Sequence, residues 1–456
     1  MIIPKIEKTI GMEVYATKTP GIGGTIRNSV EDFIVEELLV NGSKAEIQPR
    51  EIQVLSPTAR EPYLLCVLVK RNKDTFMALK AIAAQLGISV DNIRIAGIKD
   101  TKAVAAQHAT LKGFSAEDVK KISVKNVEVY PIGLFHRPLS AYYLLGNNFQ
   151  VVIRKIRHSK STIKERVAKV LGDIKGVGGV PNFFGHQRFG TTRPITHIVG
   201  KALIQGDFEK ASMLFLAKST PLEHPESRQA REQLWKTQDF KQALKEFPEK
   251  LYYERLMLKH LTKRDNDFMG AFRRFPKKLL ILFPQAYQSY LFNRFLSKRM
   301  SLGLSLNRAE VGDYVVKLDT LGLPITQAPV VASHETLNEI NLKTEIGKMH
   351  VAIPLLGFRQ KLSQGMQGEI EKQVLEEEGI SPENFKVKGM PELSLKGGVR
   401  AVLATLKNFS LNEIARDETN PSKWKVEVEF MLQRGSYATV FLREIMKPRN
   451  LVKSGF

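Results

Sequence analysis

Apolar residues in this 456-residue chain come in short runs, and that limits what it can fold into. None approaches the roughly 20 residues a membrane-spanning helix requires. The longer runs, residues 63–69 and 279–283, have the length of a buried core strand. The chain is long enough for two or three domains, each with its own core. Charge narrows the function classes. Lys and Arg number 69 against 47 Asp and Glu, a net charge of +22. Solubility needs much less. A long polyanion is the natural partner, and nucleic acid is the first candidate. A membrane partner is disfavoured by the short runs, and adaptation to high salt usually drives chains acidic.

The single cysteine, Cys66, lies in the run 63–69. It excludes an internal disulfide and a thiolate zinc cluster, and it reads as a small hydrophobe. Residues 1–20 mix Lys and Glu with short apolar pieces and show no continuous secretory core, so a cytoplasmic location is expected.

The opening third reads as mixed α and β. Strands are expected at 25–27 and 32–40 around a turn at Asn28-Ser29. A proline-bearing loop follows over 41–62, with Pro49, Pro57 and Pro62, and then a buried strand at 63–70. Asn72 or Asp74 can cap a helix that reaches Leu86, places Phe76, Leu79, Ile82, Ala83 and Leu86 on one face, and stops at Gly87. Further strands are expected from 93 to the stop at Asp100, and at 107–112, 127–133 and 149–156. Residues 201–264 are helical in pattern, and 283–299 is an amphipathic helix with Tyr287, Tyr290, Leu291 and Phe295 on one face. Residues 309–360 read as short β runs, 364–379 as a helix, 426–430 as a strand and 440–446 as a helix.

Candidate functional residues begin where the run 93–98 ends at Lys99 and Asp100. A carboxylate at a strand end can meet a ligand on a rigid frame; on spacing alone, a Lys-Asp pair there reads as a solvated turn. Phe33, in Val30-Glu31-Asp32-Phe33-Ile34-Val35-Glu36-Glu37, reads as an inward-facing strand aromatic. Asn147, in Gly146-Asn147-Asn148-Phe149, reads as a turn residue. Residues 179–190, Gly-Val-Pro-Asn-Phe-Phe-Gly-His-Gln-Arg-Phe-Gly, have an unusual composition and contain Arg188, a candidate contact for the RNA backbone. Near the end stand Gly435-Ser436-Tyr437-Ala438-Thr439 and Arg443-Glu444. The densest basic–aromatic mixture is Phe272-Arg273-Arg274-Phe275-Pro276-Lys277-Lys278. There Arg273, Arg274, Lys277 and Lys278 could meet RNA phosphates, and the rings could stack on bases. His108, His136, His186 and His197 lack metal-ligand spacing. Gly21-Ile22-Gly23-Gly24 is not a dinucleotide fingerprint.

Residues 95–108, Ile-Ala-Gly-Ile-Lys-Asp-Thr-Lys-Ala-Val-Ala-Ala-Gln-His, resemble the signature of the TruD-type pseudouridine synthases, and the four segments just quoted resemble further motifs of that family. The resemblance implies an α+β fold: a pseudouridine-synthase-like mixed, largely antiparallel sheet flanked by helices, with a second α/β insertion domain. The expected partition is 1–184 and 406–456 for the catalytic domain and 185–405 for the insertion. Asp100 inherits the catalytic role. Arg27 and Lys99 are the candidate supporting cations, with Arg27 favoured because neighbours on an extended chain point to opposite faces. Phe33, Asn147, Phe149 and Tyr437 inherit contacts with the uridine; relatives can carry Phe at the last position. The implied reaction converts uridine to pseudouridine in tRNA, at position 13, on a monomer that needs no cofactor and no metal. The carboxylate could act as nucleophile or as proton acceptor. The same chemistry on another RNA, a non-catalytic RNA-binding or RNA-folding protein, and a base-excising glycosidase are the alternatives.

Overall fold

A computed structural model describes residues 2–49, residue 60 and residues 62–456. Most of the loop expected over 41–62 therefore lies outside the described residues. In chain order the strands are β1 (Phe33–Leu39), β2 (Tyr63–Arg71), β3 (Ile93–Ile95), β4 (Val104–Lys112), β5 (Val127–Phe135), β6 (Leu144–Ile156), β7 (Val180–Pro181), β8 (Tyr314–Lys317), β9 (Val330–Val331), β10 (Met349–Leu355), β11 (Gly398–Ala401), β12 (Leu403–Ala404), β13 (Leu406–Asp417) and β14 (Asn420–Gln433).

The main sheet has eight strands in the order β13-β14-β6-β1-β4-β2-β5, with β3 on β4. Only β1 and β4 run parallel; the other pairs are antiparallel. Its strands come from both ends of the chain. A separate four-stranded sheet, β11-β10-β8-β9, packs with the helices Leu282–Ser301 and Leu337–Glu345. An all-helical stretch from Thr196 to Leu261 lies between the two sets of strands in sequence.

Alternation decides the faces of the main sheet. Phe33, Val35 and Glu37 point one way from β1, and their cross-strand partners on β6 are Val151, Phe149 and Asn147. On β14 the partners of those three are Val428, Phe430 and Leu432. Phe149 stacks on Phe430 at 5.3 Å between centroids, and Phe430 meets Phe441 edge-on at 4.7 Å. A second core forms where the helix Thr75–Leu86 lays Ala78, Leu79, Ile82 and Ala83 over Leu64, Cys66 and Leu68. Asp74 caps that helix by accepting from the Met77 N–H, and Gly87 ends it in the left-handed region. Burial pushes the Cys66 thiol well up, as suits a packed hydrophobe.

Several expectations need correction. Residues 25–27 make no strand; only a bridge from Thr25 to Arg154 forms there. The strand before Asp100 ends at Ile95, and residues 96–100 leave the sheet. Phe76 is half exposed and does not join its helix's packed face. The run 279–283 is helical, shared between the helices Lys277–Leu280 and Leu282–Ser301. Residues 337–345, expected among the short β runs of 309–360, form the helix Leu337–Glu345, while the helix Lys160–Val177 and strand β13 were not expected. Among the described residues no helix is long and apolar enough to cross a membrane.

Phe430 joins the sheet to the last helix, so Phe430→Ala should cost about 3–5 kcal/mol of stability. A lower denaturant midpoint with unchanged slope is the expected readout.

Candidate active site

The apolar face of β1, β6 and β14 does not end at the core. It continues as the floor of a cleft of about 800 Å³ lined by Arg27, Phe33, Val35, Lys99, Asp100, Asn147, Phe149 and Tyr437, among others. Every sequence-predicted catalytic and uridine-contacting residue lines this one space.

Arg27 reaches the cleft from the turn before β1. Its Nη2 lies 3.4 Å from Asp100 Oδ2, and its guanidinium carbon sits 4.0 Å from the centroid of the Phe33 ring. Its Nη1 donates to the Gly455 carbonyl at 3.0 Å. Arg27 holds φ at 57°, a left-handed backbone that a non-glycine residue adopts at a cost of about 1–2 kcal/mol. The turn is clamped to allow it. The Thr25 N–H donates to the Arg154 carbonyl at 2.9 Å, Arg154 Nε donates to Asp32 Oδ1 at 2.7 Å, and Asp32 Oδ2 accepts the Ser29 N–H at 3.0 Å. Burial weakens the hold of Arg27 on its proton, and Asp100 opposes that effect.

Residues 96–100 have left the ladder, and buried side chains hold them instead. Gln107 Nε2 donates to the Gly97 carbonyl at 3.1 Å. The Thr75 hydroxyl accepts the Lys99 N–H and donates to the Lys99 carbonyl, both at 3.3 Å. Lys70 Nζ donates to the carbonyls of Asp100 and Lys73. The Lys99 side chain turns away from Asp100 and pairs with Glu37 Oε1 at 2.6 Å, so Arg27 alone of the two candidate cations reaches the carboxylate. Glu37 is fully buried and also accepts the His108 N–H at 2.8 Å; its Oε2 lies 3.2 Å from His108 Nδ1. Burial pushes the Glu37 carboxyl up, but Lys99 and His108 together hold it below the usual carboxylate range. Lys70, Thr75 and Glu37 were not singled out from the sequence. The one available signal was Lys70 itself, a lysine closing an otherwise apolar run.

Asn147 presents a buried side-chain oxygen with no hydrogen-bond partner among the described residues. Such a group costs free energy unless a ligand satisfies it. Tyr437 stands just before the helix Ala438–Met446, edge-on to Phe184 at 6.2 Å. Gly185 leaves close room for this ring, because a Cβ there would stand 3.0 Å from the Tyr437 ring and oblige it to shift. Arg443 and Glu444 lie outside the cleft, where Arg443 joins Glu7 and Glu444 in a buried ionic network.

The RNA-backbone candidates fare unevenly. Arg273, Arg274, Lys277 and Lys278 are exposed, but the interleaved Phe272 and Phe275 are buried and cannot stack on bases. They anchor the short helix Phe268–Phe272 into the core. Arg188 is partly buried beside Phe184. Among the described residues no group of three His, Cys, Asp or Glu side chains could hold a metal. The cleft thus offers, at Asp100, a carboxylate beside a guanidinium, together with an aromatic floor and an unsatisfied amide oxygen. These parts suit a flat, polar ring and a single carboxylate-driven step.

A family model for tRNA pseudouridine synthase D (TruD) matches residues 9–445. The chain is 39% identical over 455 residues to the probable tRNA pseudouridine synthase D of Methanosarcina mazei, covering all of both proteins. It is 40% identical over 447 residues to the Methanosarcina barkeri protein of the same name, covering 98% of each. A crystal structure of tRNA pseudouridine synthase D from Methanosarcina mazei superposes with a TM-score of 0.82, covering 98% of this chain and 99% of that one.

Burial pushes the Lys70 ammonium down to about 8, against the pull of Asp100 and Asp74. The unfolded chain keeps that proton to about 10.4, so this group adds stability as pH rises between the two values. The hold on the Asp100 carbonyl changes the other way, because its charge-assisted bond weakens above about pH 8. The turnover profile should therefore fall near pH 8, and Lys70→Met should lower the plateau and remove that limb. A variant with the wild-type profile would release Lys70 from this role.

Proposed function

The chain belongs to the TruD family of tRNA pseudouridine synthases, which isomerise uridine to pseudouridine in tRNA, and on that premise we propose that Asp100 is its catalytic carboxylate and position 13 of tRNA its target. The observation that carries the assignment of Asp100 is its pairing with Arg27 above the Phe33 ring, at the one point of the cleft where a carboxylate, a cation and an aromatic face meet.

The reaction breaks the bond between C1′ and N1, turns the uracil, and joins C1′ to C5. It has no redox change and consumes no water, so it needs no cofactor. Two routes are open to a carboxylate at this point: attack on the sugar or base, or removal of a sugar proton. In both, Arg27 fixes the direction of the carboxylate and offsets charge in a space with an apolar floor. The target must leave its stack, at a cost of roughly a few kcal/mol. The Tyr437 ring can restore part of that by stacking, and the unpartnered Asn147 oxygen can accept a uracil N–H. Water must be kept from the sugar, since its capture would leave an abasic site.

Residues 185–405 form the insertion in this reading, because they contribute nothing to the eight-stranded sheet and carry the four-stranded one. The net charge of +22 supports a grip on tRNA shared beyond the cleft.

The test is to incubate the protein with unmodified tRNA transcript and map pseudouridine by chemical derivatisation. Wild type should give one new pseudouridine, at position 13. Asp100→Asn should give none while binding tRNA within a few-fold of wild type, since volume and packing are kept. Undiminished product from Asp100→Asn would remove Asp100 from the mechanism, and product at another position would replace the target.

A further inference from the structure

Two arginines stand behind Tyr437, and neither has a counter-ion among the described residues. Arg188, from the short turn His186–Arg188, and Arg400, from β11, approach the same Phe184 ring, their guanidinium carbons 5.9 and 4.1 Å from its centroid. Arg400 Nε donates to the Asn182 carbonyl at 3.0 Å, and its Nη2 donates to Asn182 Oδ1 at 2.6 Å and to the Gly435 carbonyl at 2.7 Å. Arg188 donates from Nε to the Ser289 hydroxyl at 3.2 Å and from Nη2 to Gln285 Oε1 at 3.1 Å.

All these partners are neutral. Arg154, Arg231, Arg294, Arg299 and Arg443 each have a carboxylate, whereas the partly buried Arg166, Arg255 and Arg434 bond to backbone carbonyls instead; Arg188 and Arg400 differ from these in flanking one aromatic ring together. In each of them Nη1 makes no hydrogen bond among the described residues. Burial draws Arg400 down to about 10; the Tyr437 hydroxyl opposes that shift, and Arg188 adds a smaller repulsion. Holding two like charges together at partial burial is unfavourable unless an anion completes the arrangement.

We propose that Arg188 and Arg400 form a phosphate site that takes the RNA backbone beside the extruded uridine. This rests on the reading of the cleft as the uridine pocket. Its location supports a phosphodiester over a free anion: Gln187, next to Arg188, and Ser436 and Tyr437, next to the Gly435 carbonyl that Arg400 holds, all line that cleft. Arg400 also belongs to the four-stranded sheet, so a phosphate there would fasten that sheet, the Tyr437 loop and the substrate together.

The test is equilibrium binding of unmodified tRNA transcript to the full chain across a range of KCl concentrations. Each phosphate contact contributes about 0.9 to the slope of log K against log salt. Arg188→Gln and Arg400→Gln should each weaken binding several-fold at low salt and flatten that slope by about one, whereas Arg188→Lys and Arg400→Lys keep the charge and should keep the slope. Unchanged slopes in both Gln variants would overturn the site, even if turnover fell, since the arginines would then only hold the loop. A measurement without variants guards against misfolding: crystals of the wild-type chain soaked in tungstate should show the anion on both Nη1 groups, and an empty site there would also overturn the proposal. The slopes are read from binding alone, so a wild-type chain that bound tRNA but made no pseudouridine would sink the uridine-pocket reading and leave the phosphate result standing.

Discussion

A fully buried carboxylate, Glu37, underlies the geometry of the cleft. It sits on β1 at the middle of the main sheet, where it pairs with Lys99 and with both the backbone and the ring of His108. An unpaired carboxylate at that depth would be prohibitive. Paired, it is costly to break, because removing one partner of such a pair destabilises by about 3–5 kcal/mol. The pair matters because residues 96–100 have no ladder of their own. By pulling the Lys99 side chain down toward the sheet, Glu37 sends the next side chain, Asp100, the opposite way, toward Arg27 and the open cleft. Thr75, Gln107 and Lys70 then fix the backbone between them. A loop that carries a reactive group is held as firmly as a strand, with its free backbone groups occupied by buried side chains.

The other half of the ion pair depends on chain connectivity. Arg27 occupies a strained turn, and its clamps come from far along the chain: Arg154 on β6, Asp417 beside it, and the Gly455 carbonyl. Gly455 is fixed by space, since a Cβ there would fall 2.0 Å from the Ile26 carbonyl oxygen. Closing the sheet with β13 and β14 therefore brings the last helix and the residues after it against the Arg27 turn.

What could be read from the sequence divides along the same line. The strands with clean alternation or continuous apolar runs, β1, β2, β5 and β6, were legible, as was the capped helix Thr75–Leu86. Strand β13 was not: it lies at the sheet edge, is mostly half exposed, and shifts register against β14, so no period-two pattern survives. The helix Leu337–Glu345 buries only Ile340 and Thr344, too little for a helical stripe. The site residues were named through motif resemblance, and their convergence on one cleft owes nothing to local pattern. Glu37 was invisible because a buried charge looks like a surface charge until its partner, distant in sequence, is known, and Lys70 showed only as a lysine closing an apolar run. The rings of Phe272 and Phe275 show the converse, aromatic residues in a basic run that serve the core alone.

The floor of the cleft and the core of the sheet are one continuous surface. Phe441 packs on Phe430, Phe430 on Phe149, and Phe149 meets Phe33 edge-on at 6.1 Å, with Arg27 above it. A substrate ring entering the cleft thus meets aromatic carbon backed by packed side chains, which cannot yield as a loop would. That rigidity serves the ion pair too. An apolar floor lowers the local dielectric and strengthens the attraction between Arg27 and Asp100, yet the Asp100 side chain stays 30% exposed toward the open side, so the carboxylate remains free to reach a substrate. A cation held on an aromatic face from below and a carboxylate accessible from above give the site a direction. Under the proposed assignment, a sugar would meet the exposed side of Asp100 within the cleft that Asn147 and Tyr437 also line.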